Sequence, residues 1–201
     1  MKENIILKTL ELGYEKGLAN VSILDIATAT DLRKSSLYSH FRSKEEIIQS
    51  MVVHCHALLA EKTFLVDFKA KDAQELLVSL VESFIETFAE PPLSHYYAVV
   101  QQQRLYDKGF AATAHDLESM ITARVKVALE YCVQRSWLDI NDTDAAGELF
   151  SSAVQNCIAK LAATPEAAIA LGCEDTDWEL NRLVDSLLML FGANLNPGFS
   201  S

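Results

Sequence analysis

The stretch SILDIATATDLRKSSLYSHFRSKEEI, residues 22–47, decides the fold. Ser22 followed three residues later by Asp25 is a capping-box pattern, and Ser43 followed by Glu46 is a second. Each pattern marks a helix start. The first predicts a short helix over 23–29, with Ile23, Ile26 and Ala27 apolar. A break at Thr30-Asp31-Leu32 follows, and then a helix over 33–40 with Leu37 and Phe41 inward. Two short helices joined by a three-residue break predict a helix-turn-helix. In that motif the second helix enters the major groove while the first crosses the backbone.

Outward from this stretch, nearly every segment repeats at helical period. Ile6, Leu10, Gly13, Tyr14 and Gly17 predict an amphipathic helix over 3–16, stopped by Gly17 in the left-handed conformation. Downstream of Ser43, a long helix carries Ile47, Met51, Cys55 and Leu58 on one face. Helices are further expected over 72–89, 94–105 and 116–135. Another is capped by Asp142 or Asp144 and runs to 163. Thr164-Pro165-Glu166 opens a short one to Gly172, and a last helix over 177–191 ends at Gly192 and Asn194. No segment alternates cleanly at period two, and only 7 Gly and 4 Pro are present to make turns. The fold class is therefore all-α: an N-terminal three-helix unit followed by a larger helical bundle.

Charge divides the chain as well. The net charge is −11 over 201 residues, which excludes a protein that coats nucleic acid non-specifically. Residues 1–50 hold seven cations (Lys2, Lys8, Lys16, Arg33, Lys34, Arg42, Lys44) and seven acids (Glu3, Glu11, Glu15, Asp25, Asp31, Glu45, Glu46). All of the −11 thus belongs to 51–201, while 33–44 carries four cations, His40 and no acid. The four cysteines, Cys55, Cys132, Cys157 and Cys173, have no C-x-x-C spacing and read as buried thiols of a reducing compartment. Neither a signal-peptide h-region nor an apolar run of ~18 residues occurs, so a cytoplasmic location is expected.

Arg33 and Lys34 open the second short helix, where side chains reach base edges; arginine pairs well with guanine. Ser35, Ser36 and Ser39 can bond phosphates or bases, and Tyr38 and His40 offer phosphate-directed donors. Ser22 joins them at the start of the first short helix. Lys44 stands in the first turn of the following helix, whose amides favour a phosphate. The run Leu37-Tyr38-Ser39-His40-Phe41-Arg42-Ser43-Lys44-Glu45-Glu46-Ile47 resembles the signature of tetracycline-repressor (TetR)-type regulators. Asp25-Ile26-Ala27 and Glu15-Lys16-Gly17-Leu18 fall in register with it. The likeness covers roughly residues 4–50. The family commonly has Ala-Gly-Val-Ser across the turn, whereas here Asp31 replaces the turn glycine and Arg33 the capping serine.

The resemblance implies a DNA-binding domain over 1–46 and a dimerising, ligand-enclosing domain over 47–201. Its expected partners are double-stranded operator DNA, a second copy of the chain and a small-molecule effector. Leu149, Phe150, Ala153, Val154, Cys157 and Leu161 form one wide apolar stripe. Leu183, Leu187, Leu190 and Phe191 lie on another, and both stripes are candidates for the dimer interface. Phe84, Phe88, Tyr96, Tyr97, Gln101 and Tyr131 are candidates for a ligand pocket. The alternative is a helix-turn-helix protein whose acidic body docks another protein. No enzyme, cofactor or metal is expected. Phosphate-loop, dinucleotide, zinc-protease and serine-hydrolase motifs are missing. His54 and His56 are two residues apart on a helix, so they point about 200° apart and cannot share an ion.

Overall fold

One-turn apolar spacing makes helix α1 (Lys2–Lys16), which buries Ile5, Ile6, Thr9, Leu10 and Gly13 and none of its charges. The computed structural model describes residues 1–62, 66–163 and 173–190. Gly17 ends α1 with φ 81° and ψ 135°, a positive-φ conformation outside the left-handed helical one expected. A side chain is excluded from that region almost entirely. The turn directs the chain into a 3-10 segment, η1 (Leu18–Asn20), with Leu18 folded back on α1. A Cβ on Gly13 would lie 2.7 Å from Leu18 Cδ2, so the glycine makes room for that return.

Helices α2 (Ile23–Ala29), α3 (Lys34–His40) and α4 (Lys44–Glu61) follow. Ser22 and Asp25 form the expected capping box on α2. Arg33 is the N-cap of α3 rather than its first residue, and its side chain makes no capping bond. Ser43 Oγ accepts from Glu46 N at 3.2 Å, but Glu46 reaches back to the Arg42 amide at 2.6 Å, one residue earlier than in a standard box. The core face of α4 is Ile47, Met51, Cys55 and Leu59; Leu58 is half-buried. Steps of four from Ile47 land on Leu59, which is why it takes the place expected of Leu58.

The remaining helices are α5 (Ala73–Ala89), α6 (Leu93–Gln103), α7 (Lys108–Gln134), α8 (Thr143–Ala163) and α9 (Cys173–Leu190). α7 begins at Lys108, not 116, because Asp107 Oδ1 accepts from the amides of Gly109 (2.7 Å) and Phe110 (3.0 Å). That cap offsets the poor helix propensity of Gly109. For α8 the cap is Asp142, whose Oδ1 accepts from Ala145 N at 2.9 Å. The helix expected from Thr164 to Gly172, and the stop at Gly192 and Asn194, lie outside the described residues. Among the described residues there are nine α-helices and no strand.

The chain forms two packing units, 1–63 with 87–114, and 64–86 with 115–201. In the first, α1 packs on α2, α4 and α6, and α3 packs on α2. Tyr14 stacks on His95 with ring centroids 4.2 Å apart, and Lys16 pairs with Asp25 at 2.9 Å. The core of the second unit includes Leu76, Leu80, Phe84, Ile121, Val125, Leu129, Phe150, Val154, Ile158 and Leu188. Thr122 Oγ1 donates to Ser151 Oγ at 3.0 Å, and Lys126 bridges Asp144 and Glu148 at 3.1 Å each. Burial pushes the Cys55 and Cys132 thiols up to about 12, so neither is a nucleophile near neutral pH.

Gly17→Ala is expected to lower stability by about 1–3 kcal/mol, read from urea denaturation, because alanine cannot adopt that backbone without strain. A second expectation concerns pH. Burial holds the His95 imidazole below its ordinary pKa, against the opposing pull of Glu11 and Glu15. The unfolded chain therefore takes up this proton first, so the His95 contribution is full above pH ~6.5 and is lost as pH falls. His95→Phe keeps a ring over Tyr14 and should flatten the acid limb of a stability–pH curve measured by urea denaturation.

Candidate nucleic-acid interface

Two helix ends aim the cationic strip. α2 closes in a Schellman motif: the Leu32 amide donates to Ala27 O at 2.9 Å and the Asp31 amide to Thr28 O at 3.2 Å. Asp31 carries the positive φ, 59°, that the motif demands. Aspartate tolerates this conformation better than most residues, so the turn survives without glycine. The next helix starts at Lys34, and Leu37 is its single buried residue. Everything else on α3 faces outward or lies at the edge.

Arg33, Lys34, Ser35, Tyr38 and Ser39 are exposed, and Ser36 and His40 are half-buried. Among the described residues neither Arg33 nor Lys34 makes an ion pair, so both guanidinium and ammonium are free to meet an anion. His40 lies in the last turn of α3. Ser39 Oγ donates to Ser36 O at 2.6 Å. Ser22 is exposed but committed: its hydroxyl donates to Asp25 Oδ2 at 2.6 Å and accepts from Asp25 N at 3.1 Å. The Ser22 hydrogen bonds, then Lys16, hold the Asp25 carboxyl well below the usual carboxylate range. Lys44, expected at a phosphate, is half-buried instead, and its ammonium donates to Leu18 O at 2.6 Å. It joins η1 to the start of α4.

The six aromatic and glutamine candidates for a pocket fall in both packing units. Phe88, Tyr96, Tyr97 and Gln101 belong to the first unit, Phe84 and Tyr131 to the second. Phe84, Phe88 and Tyr96 are fully buried, and the Phe88 and Tyr97 rings pack at 5.3 Å. Gln101 Oε1 accepts from Arg104 Nη1 at 2.9 Å, and Tyr131 Oη donates to Phe68 O at 3.0 Å. Phe84, Phe88, Tyr96 and Tyr97 are buried, whereas Gln101 and Tyr131 are half-buried. A cavity of about 700 Å3 lies elsewhere in the first unit, lined by residues of η1, α4, the end of α6 and the start of α7. None of the six lines it. No local sequence signal marks it, since its walls come from four separate segments.

The candidate dimer residues divide likewise. Phe150, Val154 and Leu187 are buried within their own protomer and pack its core. Leu149 is 62% exposed and Leu190 77% exposed, while Ala153 and Cys157 are half-buried. Met189, outside both expected stripes, is 69% exposed. The side chains of Leu161 and Leu183 and all of Phe191 lie outside the described residues. No described helix is long and apolar enough to cross a membrane.

Residues 5–51 match the profile of bacterial regulatory proteins of the tetR family. The chain is 25% identical over 125 residues to IcaR of Staphylococcus aureus (strain Newman), the HTH-type negative transcriptional regulator of the biofilm operon icaADBC. That match covers 62% of this chain and 67% of IcaR. PfmR, a TetR family transcriptional regulator from Thermus thermophilus, superposes with a TM-score of 0.68 at 22% identity. It covers 92% of this chain and 97% of PfmR. MexZ, a repressor from Pseudomonas aeruginosa, superposes with a TM-score of 0.65 at 18% identity, over 92% of this chain and 94% of MexZ. At such identities the two structures establish the fold alone. The profile match begins at Ile5 in the core of α1, ends at Met51 in the core of α4, and so encloses the whole α2–turn–α3 device. With that segment, a negative regulator among its relatives and the helical fold of such proteins along nearly its full length, the chain is a TetR-like transcriptional regulator.

Proposed function

We propose that the protein binds a palindromic operator as a homodimer, with α3 of each protomer in the major groove, and represses transcription until a small molecule releases it. The observation that carries this reading is the outward face of α3. Arg33 and Lys34 stand at its start, unpaired among the described residues, Ser35, Tyr38 and Ser39 follow, and no acid interrupts the run from 33 to 44. Phosphate contacts fix the register and base-edge contacts read sequence. Arg33 and Lys34 sit where a recognition helix meets bases. Arg42, also exposed, is placed for the backbone. The acidic remainder weakens binding to arbitrary DNA at long range and leaves the strip as the attractive face. The action is non-enzymatic and cytoplasmic, with no cofactor.

Binding-site selection from random duplexes, followed by titration against salt, tests this reading. With Lys44 engaged at Leu18 O, Arg33, Lys34 and Arg42 of two protomers remain for phosphate. If all six neutralise phosphates, the slope of log K against log salt is about −5, and affinity drops roughly three decades from ~50 to ~200 mM salt. Arg33→Ala and Lys34→Ala should each weaken the selected duplex and relax its sequence preference by ~1–3 kcal/mol where a bidentate base contact is lost. Salt-independent binding, or none to any duplex, overturns the reading.

Dimerisation is supported by apolar side chains that the second unit leaves uncovered, Leu149 on α8 and Met189 and Leu190 on α9. A two-fold interface of this kind sets half-sites about 34 Å apart, one helical turn. Leu149→Glu should give a folded monomer in sedimentation velocity, because the position is exposed in the protomer, and the monomer should bind the selected duplex at least tenfold more weakly. An unchanged dimer removes α8 from the interface.

A further inference from the structure

Helix α4 is apolar on two faces, and among the described residues one is buried while the other is half-buried to exposed. Ile47, Met51, Cys55 and Leu59 form the core face. About 100° round the helix from Ile47 and Met51 stand Ile48 and Val52, and about 100° beyond Val52 stands Val53, which is 68% exposed. This second face, with the buried Phe110 of α7 opposite, walls the cavity of about 700 Å3 in the first unit. The volume falls in the range of small-molecule sites, and so does the lining, mostly apolar with a few convergent polar groups.

We propose that this cavity binds an amphipathic organic monocation, and that the ligand acts on DNA binding through Lys44; the second half rests on the operator-binding reading above. The apolar body of the ligand lies against Ile48, Val52 and Phe110. Its cationic head meets the carboxylates of Glu45 and Asp107, both of which line the cavity. Glu45 is held ionised by its place at the α4 N-terminus and the Ser43 hydroxyl. Asp107 uses Oδ1 for the amides of Gly109 and Phe110, and its other oxygen faces no partner among the described residues. Lys44 is the one lining cation, and its ammonium already serves Leu18 O. Two carboxylates against one engaged ammonium leave a net negative rim, which selects a cation over an anion. The same ammonium couples the site to the interface. Lys44 ties the first turn of α4 to η1, the segment leading into α2. A second cation beside it repels it from Leu18 O and loosens the seat of α2 and α3.

The test uses the full-length protein and decyltrimethylammonium, with decanoate as the anionic probe of equal chain length, each titrated below micelle formation by calorimetry without DNA. The cation is expected to saturate at one per chain and decanoate to bind at least tenfold more weakly. Glu45→Gln should narrow that preference severalfold. Val52→Trp fills the cavity and should abolish binding of the cation, while Val53→Trp at the rim should shift its indole emission on addition of the cation. Saturating cation should weaken the selected duplex by about 5- to 150-fold, and the duplex should weaken the cation by the same factor. Equal binding of the two head groups, or undiminished cation binding to a Val52→Trp protein that still binds the duplex, overturns the site. Cation binding that leaves duplex affinity unchanged overturns the coupling. Failure to bind any duplex overturns the operator reading instead, and the calorimetric arm decides the site without it.

Discussion

A seven-residue helix does not hold itself together in water, because nucleation costs more than two turns of hydrogen bonds return. Helix α3 is such a helix, and Leu37 is the one side chain it buries. Its orientation therefore depends on Leu37 and on how its two ends are fixed. On one side the Schellman turn at Asp31 sets its departure from α2; on the other, Ser43 and Glu46 satisfy amides at the entry to α4. α2 is no longer, and is held by the Ser22–Asp25 box and the Lys16–Asp25 pair to α1. The outward surface of α3 is thus held in place through its neighbours. That arrangement leaves the polar side of α3 free of structural duty.

The electrostatics follow the same division of labour. Cations near the start of the chain that carry structure are engaged: Lys16 with Asp25 and Lys44 with the Leu18 carbonyl. Among the described residues Arg33 and Lys34 have no ion partners, and both lie on the outward face. Elsewhere, in the second unit, Lys126 is drawn between Asp144 and Glu148, whose hydrogen bonds raise its pKa. Substituting arginine for a capping serine at position 33 gives up a side-chain cap on α3 and places a guanidinium at the edge of the interface. Local helix stability is exchanged there for charge.

Much of the N-terminal device was legible in the sequence, because capping is local chemistry. Ser22 with Asp25, Ser43 with Glu46, and the break at Thr30–Leu32 each act within three or four residues, and each appears where expected. The misreadings were also local ones. Gly109 obscured the true start of α7, since the compensating Asp107 cap lies before it. Leu58 lost its place to Leu59 by one residue of helical phase. The aromatic candidates carry no such local signal: an aromatic at helical spacing looks the same whether its ring meets a void or a neighbouring helix.

By itself the sequence determined the all-α class, the helix-turn-helix and the acid-free strip from 33 to 44, since periodicity, capping and charge are properties of adjacent residues. It could not assign Phe150, Val154 and Leu187 to the core while leaving Leu149 and Leu190 outside, because all five lie on apolar stripes wide enough to face either way. Nor could it show that the Lys44 ammonium turns to a carbonyl twenty-six residues back, or that Ile48 and Val52 meet Phe110 across a cavity. Those outcomes depend on which segments the packing brings together. A side chain's partner is settled by distance in space, and only the tertiary structure sets that distance.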